Sequence, residues 1–458
     1  MAIDIYVQDC ADGTVINSGS TYSGSVLSGG ILVLPNVTNI DTDGTPVVTP
    51  AQVGFTASTC PPPTCPSRTW VRNPDWLAMP SLSDGDNTIY ILSAVKSGFN
   101  NFFSFSSTLT SGTYEVDLYN DGTTVTTHSA GQADFNLDYS KGTAEITDNG
   151  DDYKQVITKI TGNFLYPLFN ARHASVSNEN LSGILSIKMA SQTTTSLYGS
   201  FSNSTVNAIL NRFEEFEYVG TCNVTSLRFA FSRCRVLGKV TGNFRVATNM
   251  QGTFAYGGDV NLDDMQTNQS GLGFFRQTFD SNNLMREIVN QDYFNNISDL
   301  GQTLRSMTAL LYFGTPSAPM DMGGYSAGAS QVFQNNTVLR HAYFQNFTPN
   351  NISNMYSGCE AIQIISGIDC TNVTNSTYAF RYCHSLERLE ISNMKISFSL
   401  EDCNFYRAGL VNVFTDLYDL TTIPSTASIT IIDNPGTAVL TAADELIATD
   451  KGWTIIKI

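Results

Sequence analysis

The side chains in this sequence best suited to nucleophilic, acid–base or metal chemistry are four histidines and nine cysteines, and their spacing argues against all three. His128, His173, His341 and His384 are scattered along the chain. None has a Ser or Cys elbow, an HExxH helix or a Cys-x-x-Cys pair beside it, so no catalytic or zinc constellation is recognisable. Glycoside hydrolysis needs two carboxylates facing one bond. Asp151-Asp152 and Glu214-Glu215 are adjacent instead, and neighbours on a strand point to opposite faces, which makes solvated surface the better reading. Asp117, Asp121 and Asp148-Asn149-Gly150-Asp151-Asp152 offer the oxygen ligands that calcium needs, but without EF-hand spacing; Asn-Gly-Asp reads as a turn. Cys60-Pro61-Pro62-Pro63-Thr64-Cys65 resembles a metal knuckle or a small disulfide loop, yet no second Cys or His pair lies near it, and a rigid proline-rich linker is the favoured reading. The expectation is a protein that is not an enzyme and uses neither metal nor cofactor.

Several of the remaining cysteines belong to a repeat. Tyr356, Cys359 and Ile362 recur 24 residues later as Phe380, Cys383 and Leu386: an aromatic, a Cys three residues on, and an aliphatic three further. The same frame holds Phe231, Cys234 and Leu237; Leu304, Met307 and Leu310; and Phe333, Asn336 and Leu339, with poorer copies near Phe254, Phe279 and Leu400. After the last aliphatic comes Leu386-Glu387-Arg388-Leu389-Glu390-Ile391, where Leu389 and Ile391 alternate with Glu390 as a strand with one buried face requires. The aromatic and the Cys then fill the turn behind that strand. A small Cys or Asn suits this place because it packs beside its neighbours or caps exposed loop amides. Cys234, Cys359 and Cys383 are therefore expected to be reduced and buried, since parallel side chains on adjacent turns do not point at each other for a disulfide. A period of this length belongs to leucine-rich-repeat-like arrays.

Asn351-Ile352-Ser353-Asn354-Met355-Tyr356-Ser357-Gly358-Cys359 and Asn372-Val373-Thr374-Asn375-Ser376-Thr377-Tyr378-Ala379-Phe380-Arg381-Tyr382-Cys383 resemble the BspA-like leucine-rich repeats, whose consensus runs from Val-Thr-Asn-Met to an aromatic and Gly-Cys. The likeness is strongest over 350–392 and patchy over 220–350, where Gly252, Gly257, Gly258, Gly323 and Gly324 interrupt it. It implies an adhesive surface, the use that bacterial, protist and phage proteins make of such repeats.

At 458 residues the chain is long enough for two to four domains. Only 14% of residues are charged and the net charge is -17, which argues against nucleic acid or anionic lipid as a partner. Alternating Val, Ile, Tyr and Thr runs dominate; only Ala442 to Thr449 and Asn207 to Glu217 read as helix. The start, Met1-Ala2-Ile3-Asp4-Ile5-Tyr6, has no basic region or apolar run of a secretory signal, and no stretch has the length of a membrane span, so membrane insertion is not expected. An odd number of cysteines excludes a complete intramolecular disulfide framework.

The expected fold is mainly β, in five parts. Residues 1–58 form an N-terminal docking module, with strands over Val26 to Pro35 and Thr45 to Val48, similar to small β modules in structural proteins of tailed phages, crAss-like phages among them. Too few large apolar residues lie there for an independent core, so strand addition to a partner is expected. Residues 59–70 form the Pro/Cys linker. Residues 71–190 read as an Ig-like β-sandwich spacer on the strand-like runs Thr88 to Leu92, Phe102 to Phe105, Gly112 to Tyr119 and Lys154 to Ile160; Tyr114-Glu115-Val116-Asp117 followed by Asn120-Asp121-Gly122 is similar in part to the PKD-domain signature. Residues 191–430 form the leucine-rich-repeat-like solenoid, and 431–458 its cap, with Thr441 as N-cap of a short helix.

Surface-adhesin repeats without a recognisable export signal suggest a virion protein of a tailed phage, assembled in the host cytoplasm as a head fibre, tail fibre or baseplate decoration. A cell-surface BspA-like adhesin is the alternative. The expected partners are other virion proteins through residues 1–58, a host glycan or protein through the repeat sheet, and further copies of the chain in a homo-oligomer such as a trimer. Counting from the buried aliphatic of each copy, the outward sheet positions that would hold a ligand are Lys239, Tyr312, His341, Tyr343, Arg388 and Glu390. Aromatic and charged side chains hold sugars or protein loops by stacking and charge-assisted hydrogen bonds.

Overall fold

The computed structural model describes residues 70–148, 151–170, 183–201, 212–260, 265–267, 273–285, 287–288, 297–424 and 426–458, with three strands further upstream. Those three, Ile5–Gln8, Val15–Ser18 and Ile31–Val33, pair antiparallel with Ile5–Gln8 in the middle, inside a unit spanning Met1–Ser67. The rest of the expected docking module, Thr45 to Val48 included, and the Cys60 to Cys65 linker lie outside the described residues. Arg68–Ile458 is the second unit. The chain is mainly β, in several sheets.

The first part of that second unit is antiparallel. Thr88–Val95 pairs with Asp151–Thr161, which also carries Tyr114–Asp117 and Thr143–Asp148; a separate sheet places Phe102–Leu109 between Gly131–Asn136 and Phe164–Asn170. The alternation of Phe102-Phe103-Ser104-Phe105 sends Phe105 against Tyr114 of the other sheet at 5.4 Å, with Phe164 at 5.6 Å and Phe169 at 5.2 Å. All eight residues of Thr88–Val95 are buried, because that strand is covered on both faces. Ile89, Ile91 and Val95 join the main core while Leu92 and Ala94 join a smaller one with Trp76, Ile146, Tyr153 and Leu185. Each such side chain contributes about 1.5–3 kcal/mol on burial.

No break separates this part from the repeats. Thr88–Val95 pairs antiparallel with Ile184–Ala190, which pairs in parallel with Glu215–Tyr218, then Lys239–Phe244, then Met265–Thr267. The sheet thus runs straight across the boundary expected at residue 190. The helix expected over Asn207 to Glu217 is, where described, the strand Glu215–Tyr218. Its period is two, with Phe216 and Tyr218 buried, and parallel neighbours on both sides decide the outcome. A second parallel sheet follows through Glu287–Ile288, Tyr312–Phe313, His341–Phe347, Ile364–Asp369 and Arg388–Ser392. A third joins Phe398–Ser399, Ala427–Thr430 and Trp453–Ile456.

Behind these strands the repeat frame packs rung on rung. Phe201, Phe231, Phe254 and Phe279 stack ring to ring at 5.0, 5.6 and 5.7 Å, and Phe333, Tyr356 and Phe380 continue at 5.2 and 6.1 Å. The aliphatics six residues on, Leu237, Leu310, Leu339, Ile362 and Leu386, are all buried, and each donates its N–H to the residue three before it. The turns carry a second hydrogen-bond array that the sequence reading did not anticipate. In the rungs built on Phe231, Phe254, Phe279, Leu304, Phe333 and Tyr356 the ladder residue and the residues two before and two after it donate their N–H groups to carbonyls of the next rung, as with Phe229→Gln251, Phe231→Thr253 and Arg233→Ala255, all at 2.8 to 3.0 Å. The flanking two adopt left-handed backbone, at Phe229, Gln277, Gln302, Gln331, Asn354 and Tyr378 on one side and Arg233, Tyr256, Ser281, Ser306, Asn335 and Tyr382 on the other. The cost, about 1–2 kcal/mol for a residue with a side chain, is offset in the rungs from Phe231 to Tyr356 by keeping these N–H groups paired.

The end of the repeats meets two helices. α1 (Arg407–Asp416) lies against Arg388–Ser392, and Gly409 permits the approach, since a Cβ there would sit 2.9 Å from the Glu387 carbonyl. α2 (Ala442–Thr449) matches the helix expected from Thr441, which caps it in a capping box with Asp444. Among the described residues no helix is long and apolar enough to cross a membrane.

Candidate functional site

Five of the six outward positions fall on one face of the second parallel sheet. Parallel register places Glu287, Tyr312, His341, Ile364 and Arg388 in one row and Tyr343, Ser366 and Glu390 in the next, while Phe313, Ala342, Ile365 and Leu389 face the core. Tyr312 and His341 touch at 5.6 Å, and His341 and Tyr343 at 5.9 Å. Tyr312 departs from the expectation in one respect. It stands on the outward row but is only 6% exposed, covered by its neighbours in this aromatic cluster. Lys239 does not join the group: it belongs to the first parallel sheet, in register with Glu215.

The polar half of the face is an ordered network. Ser366 Oγ donates to Glu390 Oε2 at 2.5 Å, and Arg388 Nε donates to Glu390 Oε1 at 2.7 Å, with Nη2 on the same oxygen. Partial burial pushes the Glu390 carboxyl up, but the Ser366 and Arg388 hydrogen bonds and the Arg388 charge outweigh it and hold the group below the usual range. Burial lowers the His341 imidazole, against a hydrogen bond to Gln363, and burial raises the Tyr343 phenol. Arg388 remains well exposed, at 60%. A cavity of about 160 Å³ opens between this strand and α1, lined by Glu387, Arg388, Leu389, Glu390, Gly409, Asn412, Thr415 and Asp416. Donors, acceptors and rings are thus gathered beside a recess, where they could hydrogen-bond to and stack on a polar ligand. Sequence reasoning missed Ser366 and the α1 residues; Gly409, the point of close approach, was the available signal.

The other residues with chemical potential are accounted for locally. Glu214 and Glu215 hold the segment before the first long strand: Trp70 Nε1 donates to Glu214 Oε2 at 3.3 Å, and Arg72 Nε and Ser186 Oγ bind Glu215 Oε2 at 3.1 and 2.9 Å. Trp70 reaches this place because residue 238 is Gly; a Cβ there would meet the indole at 1.9 Å. Asp117 accepts the N–H groups of Asp121 and Gly122, and Asp121 those of Thr123 and Thr124, so both close a turn. His128 stacks on Tyr114 at 5.4 Å, and His384 Nδ1 lies 3.2 Å from an Asp402 carboxylate oxygen. His173 lies outside the described residues. Among the described residues no three His, Cys, Asp or Glu side chains gather as a metal site would require.

Cys234, Cys359 and Cys383 are buried and unpaired, as are Cys222, Cys370 and Cys403. The thiols of the repeat frame point to the preceding rung's ladder carbonyl, Cys234 to Phe201 at 3.5 Å, Cys359 to Phe333 at 3.0 Å and Cys383 to Tyr356 at 3.2 Å. Burial pushes these thiols far above their ordinary value. Where the frame has Asn, the amide caps backbone instead: Asn336 Oδ1 accepts from Met307 N at 2.7 Å, and Asn434 Nδ2 donates to Leu400 O at 2.6 Å. No protein-family model matches the chain, and no curated protein is significantly similar to it.

Proposed function

We propose that the chain is a structural attachment protein of a tailed-phage virion, a head fibre, tail fibre or baseplate decoration, that presents the sheet face around Tyr343, Arg388 and Glu390 to a host glycan or protein. In this reading residues 191–430 are a solenoid of the leucine-rich-repeat type with 431–458 as its cap, 71–190 a sandwich spacer joined to its first strands by pairing, and 1–58 the part that docks on other virion proteins. Copies assemble as a homo-oligomer.

The observation that carries the reading is the contrast between a fixed inner frame and a variable outer row. Ladder rings, buried aliphatics and turn hydrogen bonds repeat from rung to rung. The outward positions in register, by contrast, run through His341, Ile364 and Arg388, which no packing rule of the repeat demands. A frame that stabilises itself by stacking leaves such a row free for recognition. Tyr343→Ala combined with Arg388→Ala should lower adsorption of particles to host cells at least about tenfold, the scale of losing one charge-assisted hydrogen bond and one stacked ring. Thermal stability and particle assembly should stay close to wild type. Unaltered adsorption would remove this face from the reading, and failed assembly would make it a subunit interface.

A further inference from the structure

On the turn side of the rungs, away from the sheet positions just described, three arginines lie over aromatic rings. Arg381 sits 4.9 Å from the Tyr378 ring and 4.4 Å from that of Tyr382, Arg233 sits 5.6 Å from Tyr256, and Arg228 sits 5.4 Å from Tyr198. Among the described residues none of the three has a carboxylate in ion-pair contact, although the net charge is -17; Arg72, Arg305, Arg388 and Arg407 each hold one. The 380 rung goes furthest. Tyr378 and Tyr382 both hold left-handed backbone, at φ 56° and 62°, while 55% and 45% exposed. Asn354 and Gly358 fill the equivalent positions of the preceding rung, and both take this conformation at lower cost. Burial does not repay the tyrosines for the strain. What they gain is Arg381, which lies over both rings and whose Nη2 donates to Tyr382 Oη at 2.6 Å with the guanidinium exposed. Two exposed phenol rings around an exposed guanidinium offer stacking and anion binding side by side on this surface.

We propose that Tyr378, Arg381 and Tyr382 form a binding site for an acidic polysaccharide. The phenol rings stack on the apolar faces of the sugar rings, and Arg381 donates to their carboxylate or sulfate groups. Rungs about 4.8 Å apart space contacts on successive turns at roughly the length of a sugar residue. The site is independent of the virion reading, because it concerns a different surface and is tested without particles.

The full chain is measured against immobilised polygalacturonate, dextran sulfate, neutral dextran and polyglutamate, alongside Arg381→Gln and the double variant Tyr378→Asn with Tyr382→Asn. The wild type should bind polygalacturonate or dextran sulfate, the preferred one showing whether carboxylate or sulfate is read, and should ignore neutral dextran. Both variants should weaken that binding about tenfold or more, while the tyrosine double variant melts no lower than wild type because it relieves two left-handed tyrosines. No binding to either acidic sugar overturns the proposal. Polyglutamate bound as tightly reduces the site to a general anion surface, and a double variant that melts well below wild type makes the tyrosines structural; either result also overturns it.

Discussion

A thiol at the third position after the ladder residue does two things at once. It fills a space too small for Leu or Phe, and its S–H reaches the one ladder carbonyl that the parallel stacking leaves within range, as Cys359 does with Phe333 at 3.0 Å. That place could be read from sequence, because Cys and Asn alternate in a fixed frame and share little except small size and polarity. The partner of each thiol could not, since it lies in the previous rung at a separation set by loop length. With the thiolate disfavoured by burial at 234, 359 and 383, and the thiolate being the reactive form, these three should resist iodoacetamide in the native protein and react together on unfolding in denaturant, read by mass spectrometry. Labelling of all three under native conditions would show that the stack opens.

Among the elements, strands were legible where period two met buried aliphatics, as in Arg388–Ser392, and where β-branched and aromatic residues run together, as in Thr88–Val95. Glu215–Tyr218 was misread because Asn207 to Glu217 mixes charged and apolar residues in a way compatible with either period, and only the flanking parallel strands decide. α1 was missed for a related reason: Arg407-Ala408-Gly409-Leu410-Val411 carries a glycine that argues against helix, and the glycine is there for contact with Glu387. α2 was legible from its cap. There the Arg407 guanidinium and Thr441 hold the Asp444 carboxyl well below the usual carboxylate range, at 2.8 Å from Arg407 Nε and 2.7 Å from Thr441 N. A depressed folded value means the contribution is complete above the unfolded value of about 4 and is lost as pH falls through the folded one. Asp444→Asn should therefore lower the melting temperature at pH 7, with the gap to wild type narrowing below about pH 4. A gap that stays constant on acidification would show that the charge of Asp444 plays no part.

At the scale of the described part of the second unit, strand pairing makes one body of segments that composition divided into spacer and repeats. Ile184–Ala190 is at once the last partner of the antiparallel sheet and the first of the parallel one. The Arg72 and Trp70 contacts to Glu215 and Glu214 hold the preceding segment onto the same sheet. This joint was invisible in the sequence, because an antiparallel partner at Thr88 and a parallel one at Glu215 leave no local mark on the residues between them. The period of the repeat was visible, since every copy must solve the same packing problem. The two outward surfaces lie between these cases: Tyr343, Arg388 and Glu390 followed from counting, whereas the tyrosines of the turn side needed the backbone conformation that the rungs impose.

The central proposal, a virion protein that meets the host, is tested most directly by electron microscopy of intact particles labelled with an antibody against this chain, before and after mixing with host cells. The expected result is label on the particle exterior that concentrates where particle touches cell. Unlabelled particles beside a labelled cell envelope would contradict it and assign the chain to the cell surface instead.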